Sequence, residues 1–150
     1  MKIYQKYQTD SAAETQGLWI EMGDNALIKI ARLGHPKHEE VMKRLRQPHV
    51  ASLRAGIDLP TNVSMALTIE ALAEAILIDW KGIQDDDGKE IPYSKEAAIK
   101  LLTDLPDFRD KVVFLSSQHE TFRKSALENA AKNSEPVLDG DSSGAKASSI

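Results

Sequence analysis

Three consecutive aspartates followed by a glycine and a lysine, Asp85-Asp86-Asp87-Gly88-Lys89, form the densest cluster of potential cation ligands in the chain. A calcium loop of the EF-hand type needs oxygen ligands at positions 1, 3, 5 and 12, with glycine at position 6. Placing Gly88 at position 6 puts Asp87 and Asp85 at 5 and 3, but Ile83 falls at 1 and Ser94 at 12. Two of the strongest ligands are missing, so the segment reads as a solvated turn. His35 and His38 stand three apart, with His49 further on, which raises the question of zinc. Pro36 between them opposes a shared helical face, and a four-ligand site would have to recruit carboxylates from elsewhere. His38-Glu39 does not begin a zincin motif, because Met42 stands where the second histidine belongs. These read as surface histidines. His119, placed on an apolar stripe, reads as a core or interface histidine rather than a base, since no nucleophile or carboxylate lies at a diagnostic spacing from it.

Phosphate chemistry finds no support either. Gly82, Gly88, Gly140 and Gly144 are isolated, and no glycine cluster joins a strand to a helix. Lys37, Lys43, Arg44, Arg46 and Arg54 gather in one stretch, but Glu39 and Glu40 offset them and no aromatic is interleaved as a stacking platform. That stretch reads as a solvated helix face, with contact to an acidic partner as the lesser alternative. The sequence therefore nominates no catalytic, cofactor-binding or metal-ligating residue and no defined binding residue, and the expectation is a non-enzymatic protein without a cofactor.

The elements around these residues follow from periodicity. Leu18, Ile20 and Met22 alternate before a Gly23-Asp24-Asn25 turn, and Ile28 and Ile30 alternate after it, which predicts a β-hairpin over 18–31. Residues 38–47 predict a short amphipathic helix, acidic in its first turn and basic in its last, stopped by Pro48. Met65, Ile69, Leu72, Ile76 and Trp80 predict a helix over 61–80, capped by Thr61 and the most buried element of the fold. Ile83 and Ile91 flank the acidic turn as a second short hairpin. Ser94 caps a helix bearing Ala97, Ala98, Leu101 and Leu102. Asp107 is the expected cap of a last helix running to about Ala131 on Phe108, Val112, Leu115, His119, Phe122 and Ala126, a spacing like a coiled-coil seam that makes self-association plausible.

The chain has 150 residues, 19 basic and 23 acidic, for a net charge of −4. A domain of this size buries roughly 70% of its unfolded surface, enough for one core. The absence of cysteine excludes disulfide scaffolds, thiolate metal sites and cysteine nucleophiles. No apolar run reaches the roughly 18 residues of a membrane helix, and the polar start lacks a secretory h-region. The expected architecture is α+β: a predominantly helical single domain over 17–131 with short β-hairpins, a flexible N-terminal arm over 1–16, and a disordered C-terminal tail over 132–150 whose composition cannot offset ordering entropy.

One ordered set of residues goes beyond architecture: Trp80-Lys81-Gly82-Ile83, Asp87-Gly88-Lys89, Ile91-Pro92-Tyr93-Ser94, then Ala97 and Leu101-Leu102-Thr103-Asp104. Together with Trp19-Ile20, Gly23-Asp24, Ile28-Lys29-Ile30-Ala31-Arg32 and Pro36-Lys37 upstream, it resembles the tail assembly chaperones of long-tailed bacteriophages, over about residues 17–125. The motifs are structural in character. The resemblance implies a non-enzymatic protein that binds the tape-measure protein, keeps it soluble and helps recruit tail-tube subunits. It also implies action in the host-cell cytoplasm and absence from the mature virion. Many such chaperones have a frameshifted long form, and Ala131-Lys132-Asn133 is compatible with a slippery codon run. A minor structural tail component, such as a completion or connector protein, is the alternative. A small nucleic-acid-binding regulator is weaker, because the net charge is negative.

Overall fold

The computed structural model describes residues 1–133; the expected C-terminal tail lies outside the described residues beyond Asn133. In chain order the elements are α1 (Ile3–Tyr7), α2 (Ser11–Gln16), β1 (Leu18–Gly23), β2 (Ala26–Ile30), α3 (Pro36–Arg46), α4 (Val50–Arg54), α5 (Thr61–Ala75), β3 (Leu77–Lys81), α6 (Lys95–Asp104), α7 (Pro106–Ser117) and α8 (Lys124–Asn133). The fold is α+β and mostly helical, built around one three-stranded antiparallel sheet in the order β1-β2-β3.

The predicted hairpin is present. Asp24 and Asn25 both take positive φ (53° and 62°), the primed turn geometry whose twist matches that of the flanking strands. Short polar side chains tolerate that conformation better than most, which is why Asp-Asn serves at the tip. Pairing of Ile20 with Ile28 and Leu18 with Ile30 sends one face of the hairpin into the core, where Ile28 and Ile30 are fully buried. Trp19 points the other way and lies under the ammonium groups of Lys81 (4.4 Å) and Lys29 (5.7 Å).

The helix expected over 61–80 ends instead at Ala75, and Leu77–Lys81 forms β3. A spacing of four, as between Ile76 and Trp80, satisfies a strand of period two as well as a helix, so the stripe alone could not place the boundary. What decides it is the sheet. As a strand the segment pairs Trp80 with Ile28 and buries Leu77 and Trp80, while the Ile76 carbonyl accepts from the Ala31 amide (2.9 Å). Pro60 stands at the N-cap, and Thr61 is the first helical residue rather than a side-chain cap. With five buried residues, all in Ile69–Ala75, α5 still supplies more of the core than any other helix.

The last helix is likewise broken. Following α7, Gln118 is extended (ψ 114°), a 3-10 turn covers His119–Phe122, and α8 begins at Lys124. An unbroken helix would carry Phe122 about 10 Å past Leu115 along its axis. The break instead brings Phe122 to full burial in the same apolar cluster as Ile30, Leu72, Leu102 and Val112, so the coiled-coil-like seam does not exist as one helix. Nor does Asp107 cap α7: Leu105 takes the N-cap position and Asp107 sits in the first turn.

Residues 1–16, expected as a flexible arm, form α1 and α2 and are tied to that same break. The Asp10 amide donates to the Phe122 carbonyl (2.8 Å), Thr9 bridges to Arg123, and the Asp10 carboxylate caps α2 through the Ala13 amide (3.0 Å). Glu14 pairs with Arg32 through both side chains, and its carbonyl accepts from the Arg32 amide. Pro48 does not end helical structure either. It is absorbed into a 3-10 turn, Gln47–His49, that leads into α4. The second hairpin is narrower than expected: one bridge, Gln84 to Glu90, backed by the Ile91 amide donating to the Ile83 carbonyl (2.8 Å).

Candidate functional site

The acidic loop uses its lead carboxylate internally. Asp85 Oδ1 accepts from the amides of Asp87 and Lys89, both at 2.9 Å, and all three aspartates are exposed. A side chain committed to its own turn in this way builds no cation cage. Among the described residues no group of three His, Asp or Glu side chains is placed to hold a metal ion.

The histidines divide. His35, expected on the surface, is only 5% exposed and has both ring nitrogens engaged. Its Nδ1 accepts from the Lys37 amide (3.2 Å) as the N-cap of α3, and its Nε2 donates to the Ala75 carbonyl (2.9 Å) at the end of α5. A cap residue followed by proline at the first helical position is the signal that could have found it, since proline there costs no hydrogen bond. His38 Nδ1 accepts from the Gly34 amide (3.0 Å). Burial, and then the neighbouring His35, push its pKa below the usual histidine value. His119 is exposed rather than buried, accepting from the Arg123 guanidinium (3.0 Å) and facing Tyr7 at a ring separation of 6.3 Å.

The basic stretch does not form one patch. Arg44 is drawn towards α5, where it donates to Glu74 (2.7 Å), and Lys95 reaches the same carboxylate from α6 (2.8 Å). Hydrogen bonds from Arg44 and then Lys95 lower the Glu74 pKa to about 2. Lys43, Arg46 and Arg54 turn the other way, onto an open groove of about 630 Å³ along α3 and α4. Glu39, Glu40, Gln47, Val50 and Leu53 complete its lining.

The ordered Trp80–Ser94 segment proves to be a latch. Trp80 Nε1 donates to the Ile91 carbonyl (2.7 Å), and its ring meets that of Tyr93 edge-on at 4.9 Å. The Tyr93 hydroxyl faces the carbonyls of Leu77 (2.9 Å) and Ala73 (3.3 Å), two acceptors left over where α5 gives way to β3. Burial raises the pKa of that hydroxyl. Ser94 caps α6 by accepting from the Ala97 amide (3.0 Å), as its sequence position predicts. At Gly82 (φ +73°) a Cβ would stand 2.6 Å from the Asn25 carbonyl oxygen, so the hairpin tip packs against a residue that must lack a side chain.

A family model, that of the YdaY prophage protein, matches residues 33–133. The chain belongs to the YdaY prophage protein family. No curated protein and no solved structure matches the chain. The YdaY match begins just before the His35 cap and takes in the α3–α4 groove, α5, β3, the Trp80–Tyr93 latch and the three helices after it. The N-terminal helices and the β1–β2 hairpin precede it, so two of the three strands of the sheet lie outside the YdaY-matched stretch. No helix among the described residues of this YdaY-family chain is long and apolar enough to cross a membrane.

Proposed function

We propose that this YdaY-family protein is a phage tail assembly chaperone. In this reading it acts without catalysing a reaction: it binds the tape-measure protein, keeps that long helical chain soluble in the host-cell cytoplasm, and helps bring tail-tube subunits to it. The observation that carries the reading is a coincidence of two signals on one stretch. A prophage family covers 33–133, and within it lies the ordered Trp80 to Asp104 segment that resembles the tail chaperones. The chemistry of the segment agrees in kind. Trp80, Tyr93, Ser94 and Gly82 are spent on packing, capping and a close backbone approach, while the surface carries an open groove in which Val50 and Leu53 lie among charged side chains.

Co-expression with the tape-measure protein encoded in the same prophage tests it. The expected result is a soluble tape-measure protein that co-purifies with this chain. An insoluble tape-measure protein beside a folded, soluble partner would overturn the reading. Mass spectrometry of purified virions should lack the protein; finding it there would favour a structural tail component instead.

A further inference from the structure

One end of α5 and the whole of α4 stand apart from the core. Residues 51–58 are all exposed, and no residue of α5 before Ile69 is buried. Leu53, Ile57 and Met65 are 39%, 60% and 41% exposed, and none of them belongs to either apolar cluster. Well-formed local structure holds them there. At the end of α4 the Gly56 amide donates to the Leu53 carbonyl (3.1 Å) and the Ile57 amide to the Ser52 carbonyl (2.9 Å), with Gly56 at φ +77°. That paired ending commonly comes with an apolar contact that covers the residue two past the helix cap. Ile57 remains open to solvent.

The α3–α4 groove is lined by three cations, Lys43, Arg46 and Arg54, together with Glu39, Glu40, Gln47 and the apolar Val50 and Leu53. None of the three cations makes an ion pair among the described residues, unlike Arg44, which Glu74 engages. We propose that this groove is a docking site for an amphipathic helix whose apolar stripe is flanked by aspartate and glutamate. Apolar residues of the incoming helix meet Val50 and Leu53 while its carboxylates meet Arg46, Arg54 and Lys43. The proposal rests on the chaperone reading only in naming the tape-measure protein as the source of the helix.

The test uses the full-length protein and two synthetic helical peptides of about 18 residues, long enough to hold a helix. Both carry the same leucine stripe, flanked in one by glutamate and in the other by lysine, and binding is followed by fluorescence anisotropy. The glutamate peptide is expected to bind at least about tenfold more tightly than the lysine peptide. Leu53→Asp, at an exposed position of the groove lining outside the core, should keep the native circular dichroism and melting temperature yet lose about tenfold or more in affinity. Arg46→Glu with Arg54→Glu should reverse the preference between the peptides. Equal binding of the two peptides, no binding of either, or binding indifferent to the Leu53 variant would overturn the proposal. So would a wild-type dimer that the same variant dissociates. Tape-measure protein co-purifying equally with wild type and variant would overturn the groove while leaving the chaperone reading standing. Selective glutamate-peptide binding without tape-measure co-purification would uphold the groove and overturn the chaperone reading.

Discussion

The two halves of α5 are packed in opposite ways. From Ile69 to Ala75 the helix lies between two apolar clusters. On one side Ile69, Leu72 and Ala73 join Ile28, Ile30, Leu77, Leu102, Val112 and Phe122 in the main core; on the other Ala71 and Ala75 meet Val41, with Met42 and Leu45 packed alongside. From Thr61 to Thr68 the same helix buries nothing. The main core is large and joins the sheet to α6, α7 and the Phe122 turn. Among the described residues, the Val41–Ala71–Ala75 cluster, the His35–Ala75 hydrogen bond and the Arg44–Glu74 pair join α3 to α5. The contrast teaches that the stable frame and the proposed docking groove belong to different parts of one chain. The groove is lined from α3 to α4 and by no residue of α5, and its cations Lys43, Arg46 and Arg54 make no ion pair among the described residues.

The contrast can be broken or sharpened by substitution. Phe122→Ala, in the main core, should cost about 3–5 kcal/mol in urea unfolding. A cost under 1 kcal/mol would show that the broken last helix is not held by this side chain. Val41→Ala, in the small cluster, should cost about 2 kcal/mol. It should also speed amide exchange in α3 and α4 more than in β2, because that unit opens without the rest. Uniform acceleration across the chain would instead mean a single cooperative core.

Acid should loosen the same unit in two stages. His38 has a folded pKa below its ordinary 6.5, so the unfolded chain binds its proton first. Its contribution is therefore intact above about pH 6.5 and is lost as the pH falls towards the lowered folded value. Glu74, held at about 2 against an ordinary 4.5, adds stability above 4.5 that is lost between there and about pH 2. Melting temperature measured from pH 7.5 to 3 should fall in that order. His38→Asn keeps an acceptor for the Gly34 amide without the titration and should flatten the first stage; an unchanged profile would remove His38 from the account. The smallest effect belongs to Leu53→Ala, expected to stay within about 0.5 kcal/mol of wild type in urea unfolding.

Much of this was legible in the residues. The β1–β2 hairpin was readable from strict alternation around Gly23-Asp24-Asn25, and the Ser94 cap from a serine just ahead of a helical pattern. Helix ends were not, where a spacing of four serves helix and strand alike, as at Ile76 and Trp80. Nor was the charge of the groove. Five basic residues in one stretch read as a solvated face, and only the fold shows that Arg44 turns towards Glu74 while Lys43, Arg46 and Arg54 turn the other way. His35 was misread because a helix cap that also reaches a distant carbonyl looks, in one dimension, like any surface histidine beside a proline.

By itself the sequence determined the local grammar: which segments alternate, where turns fall, and the absence of cysteine. It also carried the ordered Trp80–Ser94 set, because those choices depend on neighbours a few residues away. The tertiary structure decided where α5 stops, why the last helix breaks, and which cations make no ion pair among the described residues. Each of those outcomes compares the free energy of competing long-range contacts: Trp80 on Ile28, Phe122 among the core, Arg44 on Glu74. Contacts between residues far apart in the chain have no periodic signature in it, so only the folded arrangement could reveal them.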